Sequence, residues 1–316
     1  MKRKYAKIFL GVLFSASLLF ASCSSDDDAN TGNFPLSADI FNSVKGKRVA
    51  FQGLTHNAIS WSWDFGDGST SSEQNPVHTY TDPGYYTAVL TATDATGASV
   101  NKEVKLALDI TPYVLLTGGA TAAEGKTWRL ASSHSDKDYF AYSDAQLSPF
   151  EGAPNPLPAG IFGAGLGMPE VYDDEYTFYF DGSFTMDLKE DGAAFSGLLY
   201  QFVTSGGANI LNDGGSDFGL CTASFTPESD LTFSYVENED FQMSSVFGEN
   251  GTLTYNDVST IDFDGSAFVG FLDFESKVII QDISDSSMRL VMFLAASQDF
   301  IGVNTNALVL TFEVVE

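Results

Sequence analysis

Residues 61–69 read Trp-Ser-Trp-Asp-Phe-Gly-Asp-Gly-Ser, and this stretch decides the fold of the N-terminal part of the chain. Trp61, Trp63 and Phe65 alternate with polar residues, so they project from one face of a predicted strand into a core. Residues 66–68 then predict a tight turn, because glycine supplies a positive φ and Asp67 caps its own backbone. The pattern predicts a strand that ends in a turn.

The residues that follow complete the pattern of one small domain. His78-Thr79-Tyr80 comes next, and Pro83-Gly84-Tyr85-Tyr86 then leads into an alternating run. The whole pattern resembles a PKD domain, a small immunoglobulin-like β-sandwich, and it covers residues 35–111. The resemblance implies a spacer of the kind found in secreted polysaccharide-handling proteins and proteases, and it implies no chemistry. For Asp64 and Asp67 a turn role is favoured over the alternative of a calcium site.

The first 34 residues predict that the protein is exported from the cytoplasm. Residues 1–22 place a basic start before a short apolar run, which is typical of a secretory signal. The run ends before Cys23 in a pattern that resembles a bacterial lipobox, which implies that Cys23 carries lipid. Residues 23–34 are polar and predict a flexible Ser/Asp-rich tether. They resemble the surface-export signal of Bacteroidetes lipoproteins, and the alternative is a plain linker. We therefore expect an outer-membrane lipoprotein that faces the cell exterior.

Charge and cysteine content narrow the classes of partner. The chain has 15 basic and 42 acidic residues, which gives a formal net charge of −27. A surface this negative repels nucleic acid and anionic lipid headgroups, so we expect no nucleic-acid partner and membrane contact through the lipid alone. A neutral ligand fits better than an acidic glycan, although the acidity would equally serve solubility. The second cysteine, Cys221, lies in an alternating run and is predicted to be a buried thiol.

Residues 112–316 predict a second, larger β-domain. Short alternating runs bounded by Gly, Asp, Asn and Ser dominate, so the fold class is all-β, with a jelly-roll-type sandwich after the PKD domain. The second domain is similar in its frame to glycan-binding lipoproteins of Bacteroidetes polysaccharide-utilisation loci. This frame consists of residues 125–130, a variable aromatic loop at 131–169, the run 172–188 and a final strand at 307–315. That resemblance implies a position like that of SusE or SusF, beside a SusC/SusD-like transporter.

The loop at 131–169 and the residues after it are the predicted ligand site. Rigid aromatic side chains cover the apolar faces of sugar rings, and carboxylates accept hydrogen bonds from hydroxyl groups. The predicted ligand-binding residues are Tyr139, Phe140, Tyr142, Phe150, Phe162, Tyr172, Asp173 and Asp174. For each aromatic residue, a loop-anchoring role in the core is the alternative. The predicted function is capture of a neutral polysaccharide, such as a β-glucan, for hand-over to an uptake system.

Catalysis is not predicted. The acidic clusters at 237–240, 262–264 and 273–275 lack the spacing of the laminarinase-type carboxylate motif, and the three histidines are scattered along the chain. No cofactor and no metal is predicted; for residues 212–217 a glycine-rich turn is favoured over a structural calcium site. The alternative function is a non-sugar adhesin or an accessory subunit of an outer-membrane transporter.

Overall fold

The N-terminal domain is a sandwich of two antiparallel sheets. The computed structural model describes residues 35–215 and 219–315, so the predicted signal, Cys23 and the tether lie outside the described residues. The seven strands of this domain are β1 (Ser37–Lys45), β2 (Arg48–His56), β3 (Ser60–Asp64), β4 (Thr70–Ser71), β5 (Val77–Thr79), β6 (Gly84–Thr93) and β7 (Ser99–Leu108). One sheet has the order β1-β2-β5 and the other β4-β3-β6-β7. The predicted immunoglobulin-like sandwich is confirmed.

The residues of the 61–80 pattern pack in the core of this sandwich. Trp63 and Phe65 are buried, and the hydroxyl of Tyr80 donates a hydrogen bond to the Phe65 carbonyl oxygen at 3.0 Å. The His78 ring stacks on Phe65 with 4.3 Å between ring centroids, and its Nε2 lies 2.6 Å from Asp67 Oδ2. Burial favours the neutral form of Asp67, but the hydrogen bond from His78 outweighs it and lowers the pKa of Asp67. These residues therefore hold the two sheets together.

A short helix, α1 (Pro112–Thr117), joins the two domains. The Thr111 hydroxyl accepts a hydrogen bond from the Val114 amide, and the helix ends at Gly118 with φ 83°. Beyond the helix, Gly119 pairs with Gly84 of the first domain. The Tyr85 hydroxyl also donates a hydrogen bond to Asp285 of the second domain. Leu36–Glu316 thus forms one compact unit with a packed junction.

The C-terminal domain is built around a closed antiparallel sheet. Its elements are β8 (Lys126–Leu130), β9 (Tyr139–Tyr142), β10 (Glu175–Phe178), β11 (Ser183–Asp187), β12 (Ala193–Gly197), α2 (Leu198–Ser205), β13 (Ile210–Asn212), β14 (Leu220–Ser224), β15 (Leu231–Glu249), β16 (Thr252–Phe263), β17 (Val278–Ile283), β18 (Ser287–Leu294) and β19 (Asn306–Val314). Eight strands pair in the order β8-β10-β11-β15-β16-β17-β18-β19, and β19 pairs with β8. We call this ring of eight strands the closed sheet.

The all-β prediction is confirmed, and the strand order of the second domain differs from that of a jelly roll. Strands that follow each other in the ring also follow each other along the chain, apart from β9 and the inserted sheet β12-β14-β13. A jelly roll instead needs long Greek-key connections between its two sheets. The C-terminal domain therefore has up-and-down connectivity.

Aromatic side chains fill the closed sheet. Trp128, Phe178 and Phe312 have no exposed surface, and the Trp128 indole donates a hydrogen bond to the Leu116 carbonyl oxygen of α1 at 2.9 Å. Segment 264–277 adds Phe268 and Phe271 to the same core. Eight strands enclose an interior that is just wide enough for side chains. The inside of the closed sheet is therefore a packed core.

The β15–β16 hairpin forms a second layer outside the closed sheet. Its pairing is interrupted between Val236 and Phe241, and beyond that point the hairpin folds back. Phe241 then packs with Val291 and Phe293, whose side chains point outward from β18. Because alternate residues of β18 face the inner core, this strand is buried on both faces.

The two ends of the closed sheet differ. The β17–β18 connection contains Asp285, which contacts Tyr85 of the first domain. The next connection, residues 295–305, leaves the opposite end of β18, which we call the distal end. The tip of the folded-back hairpin also reaches the distal end, because the Val246 amide donates a hydrogen bond to the Asn304 carbonyl oxygen at 3.1 Å.

Candidate functional site

Three aromatic side chains meet at the surface of the distal end. The ring centroid of Tyr142 lies 5.1 Å from that of Phe150 and 5.6 Å from that of Phe247, and both contacts are edge-to-face. Phe247 is 47% exposed, and the other two residues are half-buried. We call these three residues the distal aromatic cluster. It brings together two of the eight predicted ligand-binding residues.

A short turn places Tyr142 and Phe150 side by side. The Tyr142 amide donates a hydrogen bond to the Ser148 carbonyl oxygen, and the Phe150 amide donates one to the Phe140 carbonyl oxygen, both at 2.8 Å. Within the turn, the Asp144 carboxylate accepts a hydrogen bond from the Ser148 amide at 2.9 Å. Burial acts to raise the pKa of Asp144, but the hydrogen bonds from Ser148 and its neighbours outweigh burial and lower the pKa. The aromatic pair thus stands on a hydrogen-bonded hairpin rather than on a free loop.

Buried polar groups fix Phe247 beside this hairpin. Ser143 and Ser245 are fully buried, and their hydroxyl oxygens lie 3.1 Å apart. The Ser143 hydroxyl also donates to the Asn304 carbonyl oxygen at 2.8 Å, and the Asn304 side-chain amide donates to Ser244 at 3.0 Å. Asn304 Oδ1 is buried without a hydrogen-bond partner, but the hydrogen bonds that do form join the tip of the β15–β16 hairpin to Ser143 and to the 295–305 connection. We therefore expect little rearrangement of the cluster when a ligand binds.

Other exposed apolar residues surround the distal end. Val246 is 38% exposed, and Phe300 and Ile301 in the 295–305 connection are 54% and 59% exposed. The same connection touches Phe274, because a side chain added at Gly302 would meet that ring at 3.7 Å. All three exposed residues lie in the two segments that meet at the distal end through the hydrogen bond between the Val246 amide and the Asn304 carbonyl oxygen.

Four other predicted aromatic residues serve the fold. Tyr139 donates its hydroxyl hydrogen bond to the Leu147 carbonyl oxygen at 3.0 Å and so fastens the same hairpin. Phe140 and Tyr172 are partly buried against the inner core. Phe162 has no exposed surface and packs 4.8 Å from Phe195. A ligand outside the fold has no access to the Phe162 ring, so we remove Phe162 from the binding surface.

A buried polar network, which the sequence did not indicate, holds the loop that carries these residues. His134 Nδ1 lies 3.1 Å from Asp138 Oδ2, and His134 Nε2 lies 2.9 Å from the Tyr172 hydroxyl. Asp138 also accepts hydrogen bonds from the Thr311 amide at 3.0 Å and hydroxyl at 2.6 Å. Burial opposes ionisation of Asp138, but the bonds from His134, Ser135 and Thr311 outweigh it and lower the pKa to about 2. The network ties the loop to β19.

The two predicted carboxylates lie in opposite environments. Asp173 is exposed, whereas Asp174 is 1% exposed and neither of its carboxylate oxygens has a hydrogen-bond partner. Burial raises the pKa of Asp174 to about 8, and the nearby carboxylate of Asp191 adds to the shift. Asp174 is therefore sealed from a ligand, and we remove it from the binding surface as well.

Phe247 was missed by the sequence analysis. It continues the alternation of Phe241, Met243 and Ser245, and that period alone assigns it to a core. Only the fold-back of the hairpin brings it beside Tyr142. The sequence carries a weak signal for that bend in Asn238, which adopts φ 54°.

Acidic groups in the part of the chain that the structure describes do not assemble a metal centre. Across residues 35–215 and 219–315, no group of three or more His, Cys, Asp or Glu side chains is arranged to hold a metal ion. Burial raises the pKa of Asp273 to about 7, and burial also raises the pKa of Glu275. In the same described ranges, no helix is both long and apolar enough to cross a membrane.

The comparisons with known proteins bear on the first domain. Residues 42–108 match the family model of the PKD domain. This match confirms the predicted PKD domain at the N-terminal end of the described chain. The solved PKD1 domain of the Vibrio cholerae metalloprotease PrtV is 34% identical to it and is covered over 98% of its length, which is 24% of this chain, with a TM-score of 0.23.

Two curated relatives match through the same region. Collagenase ColA of Bacillus cereus is 43% identical over 54 residues, or 17% of this chain, and the pre-pro-metalloprotease PrtV of Vibrio cholerae is 36% identical over 83 residues, or 26% of this chain. The chain spans 6% and 9% of the length of these relatives.

One solved structure aligns with both domains. It is described as the structural basis for the promiscuous specificity of carbohydrate-binding modules from the beta-sandwich super family. The alignment covers 89% of this chain and 92% of that one, at 11% identity and a TM-score of 0.24. A TM-score of this size carries no argument about function.

Proposed function

We propose that this chain is a lipid-anchored outer-surface protein of a bacterium that binds a neutral polysaccharide through its C-terminal domain. The observation that carries the proposal is the half-exposed cluster of Tyr142, Phe150 and Phe247 at the distal end. Chain order places the PKD domain between Cys23 and this site, so the PKD domain acts as a spacer. The protein captures glycan and passes it to an outer-membrane uptake system of the SusC/SusD type.

The geometry of the cluster suits the face of a sugar ring. Sugar rings present flat C–H surfaces, and aromatic rings that are already held in place cover them at little cost in conformational entropy. Tyr142 adds an amphipathic ring, and buried hydrogen bonds fix the strands that carry it and Phe247. The surface is therefore preorganised for a ligand that brings its own apolar face.

Charge selects among glycans. With a formal net charge of −27, the chain repels uronate and sulphate groups at low ionic strength. Neutral glucans meet no such barrier. We therefore favour them over acidic polysaccharides as substrates of the proposed capture step.

Affinity electrophoresis in gels that contain laminarin, hydroxyethylcellulose or glycogen tests the proposal. We expect retardation of the wild-type protein by at least one of these glucans. In Phe247→Ala and Tyr142→Ala the dissociation constant should rise roughly fivefold, since half of the ~2 kcal/mol for full burial of such a ring is ~1 kcal/mol. Phe41→Ala is the matched control, because Phe41 is 59% exposed but lies in the PKD domain. Wild-type protein that migrates freely through all three gels refutes the proposal.

A protein partner is the second candidate, and the aliphatic Val246 and Ile301 at the distal end favour it. Chemical cross-linking of intact cells followed by purification of this chain separates the two candidates. Recovery of a stoichiometric protein whose cross-links map to the neighbouring carboxylates Glu249 and Asp299, together with the absence of glucan binding, supports an adhesin or transporter subunit. Lipid attachment is tested by labelling with radioactive palmitate, which Cys23→Ser should abolish.

A further inference from the structure

A second concave surface lies on the side of the C-terminal domain, apart from the distal aromatic cluster. It is a groove of about 480 Å³. Its lining includes Leu147, Tyr255, Asp257, Ser259, Gln281 and Arg289. Its volume is in the range of ligand sites, roughly 300–1,000 Å³.

The groove exists because two neighbouring strands separate. β16 pairs with β17 only from Ser259 to Ile261, and before Ser259 it bends into the folded-back hairpin. Asp257 sits at this bend with φ 56°. On the other side, a break in the register between Ile280 and Asp282 releases Gln281 from regular pairing. The groove is thus a fixed consequence of the fold-back.

Arg289 presents an unused guanidinium edge in this groove. Its Nε donates a hydrogen bond to Gln281 Oε1 at 3.1 Å, and no carboxylate of the described residues lies within 4.0 Å of its nitrogens. Arg129, Lys189 and Lys277 each pair with a carboxylate, and Arg129 lies 2.8 Å from a carboxylate oxygen of Glu313. Lys126 Nζ instead donates a hydrogen bond to the Leu115 carbonyl oxygen, and Lys137 is exposed. A half-buried arginine without an acidic partner stands out in a chain with 42 acidic residues. The two Nη groups remain as an end-on pair of donors.

The groove also supplies acceptors and an apolar floor. Asp257 is exposed at the groove, and none of the described basic side chains forms an ion pair with it. Ser259 can both donate and accept hydrogen bonds. Leu147 and Tyr255, which are only 8% and 6% exposed, form the floor of the groove. One positive and one negative side chain leave the groove with no net charge, which favours an uncharged ligand that both donates and accepts hydrogen bonds.

We propose that this groove is a hydroxyl-reading sugar subsite that takes one or two rings of a neutral glycan. Arg289 donates to ring hydroxyl oxygens and Asp257 accepts from hydroxyl groups, above the floor that the largely buried Leu147 and Tyr255 form. This inference rests on the proposed glycan-binding function and adds a second contact region to it. The loop 143–149 connects the two regions, since Leu147 lines the groove while Tyr142 and Phe150 flank the loop on the other side.

Calorimetric titration of the full chain with laminarihexaose, cellohexaose and maltohexaose tests the subsite. Arg289→Met keeps the aliphatic stem and removes the donors, and Asp257→Asn keeps the shape and tolerates the left-handed backbone. Each should weaken binding of the preferred hexasaccharide about tenfold, as expected for loss of hydrogen bonds to a charged group. Arg129→Met is the matched control, because it makes the same exchange outside the groove and should leave the dissociation constant unchanged.

Hydrogen exchange locates the ligand independently of the variants. We expect saturating hexasaccharide to slow amide exchange in residues 255–259 and 279–281. If Phe247→Ala weakens binding while Arg289→Met and Asp257→Asn bind as wild type, the subsite is refuted and the proposed function stands. If the groove variants weaken binding and Phe247→Ala does not, the subsite is supported and the distal cluster is refuted. If the wild type binds none of the three oligosaccharides, both are refuted.

Discussion

Replacement of Asp174 by Asn should change how the stability of the C-terminal domain depends on pH. The buried carboxyl group has a pKa of about 8, compared with 3.8 for a solvated aspartate. Between these two values the folded protein holds a proton that the unfolded chain has released. Stability therefore falls as pH rises from about 4 to about 8, and this fall is absent in Asp174→Asn.

The magnitude follows from one proton. A difference of one bound proton changes the free energy of unfolding by about 1.4 kcal/mol per pH unit. From pH 5 to pH 7, the stability of Asp174→Asn relative to wild type should rise by about 3 kcal/mol and then level off above about pH 8. Other titrating groups cancel in this difference, because both proteins contain them.

Denaturation in guanidinium chloride at each pH, read by amide exchange of peptides from β10 and β11, measures this quantity for the C-terminal domain alone. Asp173→Asn is the matched control, because it makes the same exchange at an exposed neighbour and should track wild type. A relative stability of Asp174→Asn that stays level between pH 5 and pH 7 would show that Asp174 is ionised in the folded protein. The burial argument would then fail.

Two further predictions concern other buried groups. Asp138 has a pKa of about 2, so the stability that its ionised form contributes is present above pH 3.8 and is lost as pH falls through 2. Asp138→Asn should lower the free energy of unfolding by about 2 kcal/mol, as measured by urea denaturation at pH 7. An unchanged denaturation midpoint would refute the role of the network. Burial raises the pKa of the Cys221 thiol to about 12, so Ellman's reagent at pH 8 should leave Cys221 unmodified until guanidinium chloride unfolds the chain. The assay uses the Cys23→Ser protein, because a free Cys23 thiol would also react, and rapid modification of this folded variant would contradict the burial of Cys221.

The first domain could be predicted because its signal is local. Trp63, Phe65 and Tyr80 lie within 20 residues of one another, and their spacing specifies both the strand faces and the turn between them. The same holds for the hairpin of β10 and β11, in which Tyr176 and Phe184 are buried as their alternation predicts. An alternating pattern therefore predicts which side chains of a strand are buried when the strand and its pairing partner are close in sequence.

The turn of the β10–β11 hairpin differs from the turn that its sequence predicts. Asp181-Gly182 predicts a two-residue type I′ turn, which needs positive φ at both positions. Gly182 has φ 90°, but Asp181 is not in the left-handed region, and the connection spans Tyr179–Gly182. The Asp181 carboxylate accepts the Ser183 amide at 2.9 Å, which stabilises this longer turn.

The strand order of the second domain depends on contacts that periodicity does not encode. A jelly roll and an up-and-down ring contain the same alternating strands, and only the partners of each strand distinguish them. Those partners are distant in sequence, as in the pairing of Leu130 with Phe312. The contacts of the candidate site are also distant in sequence. Asp138 contacts Thr311, and Tyr142 contacts Phe247, only in the folded domain.

The packed interior of the closed sheet decides where a ligand has access. Trp128 and Phe312 fill the interior, α1 covers one end, and Phe268 and Phe271 join the same core from segment 264–277. The glycan recognition that we propose therefore has to use the outer surface, where the β15–β16 hairpin creates both candidate regions. Its tip supplies Phe247 to the distal aromatic cluster, and its bend opens the groove at Asp257. A deletion that shortens this hairpin should thus remove both regions at once while leaving the inner core intact.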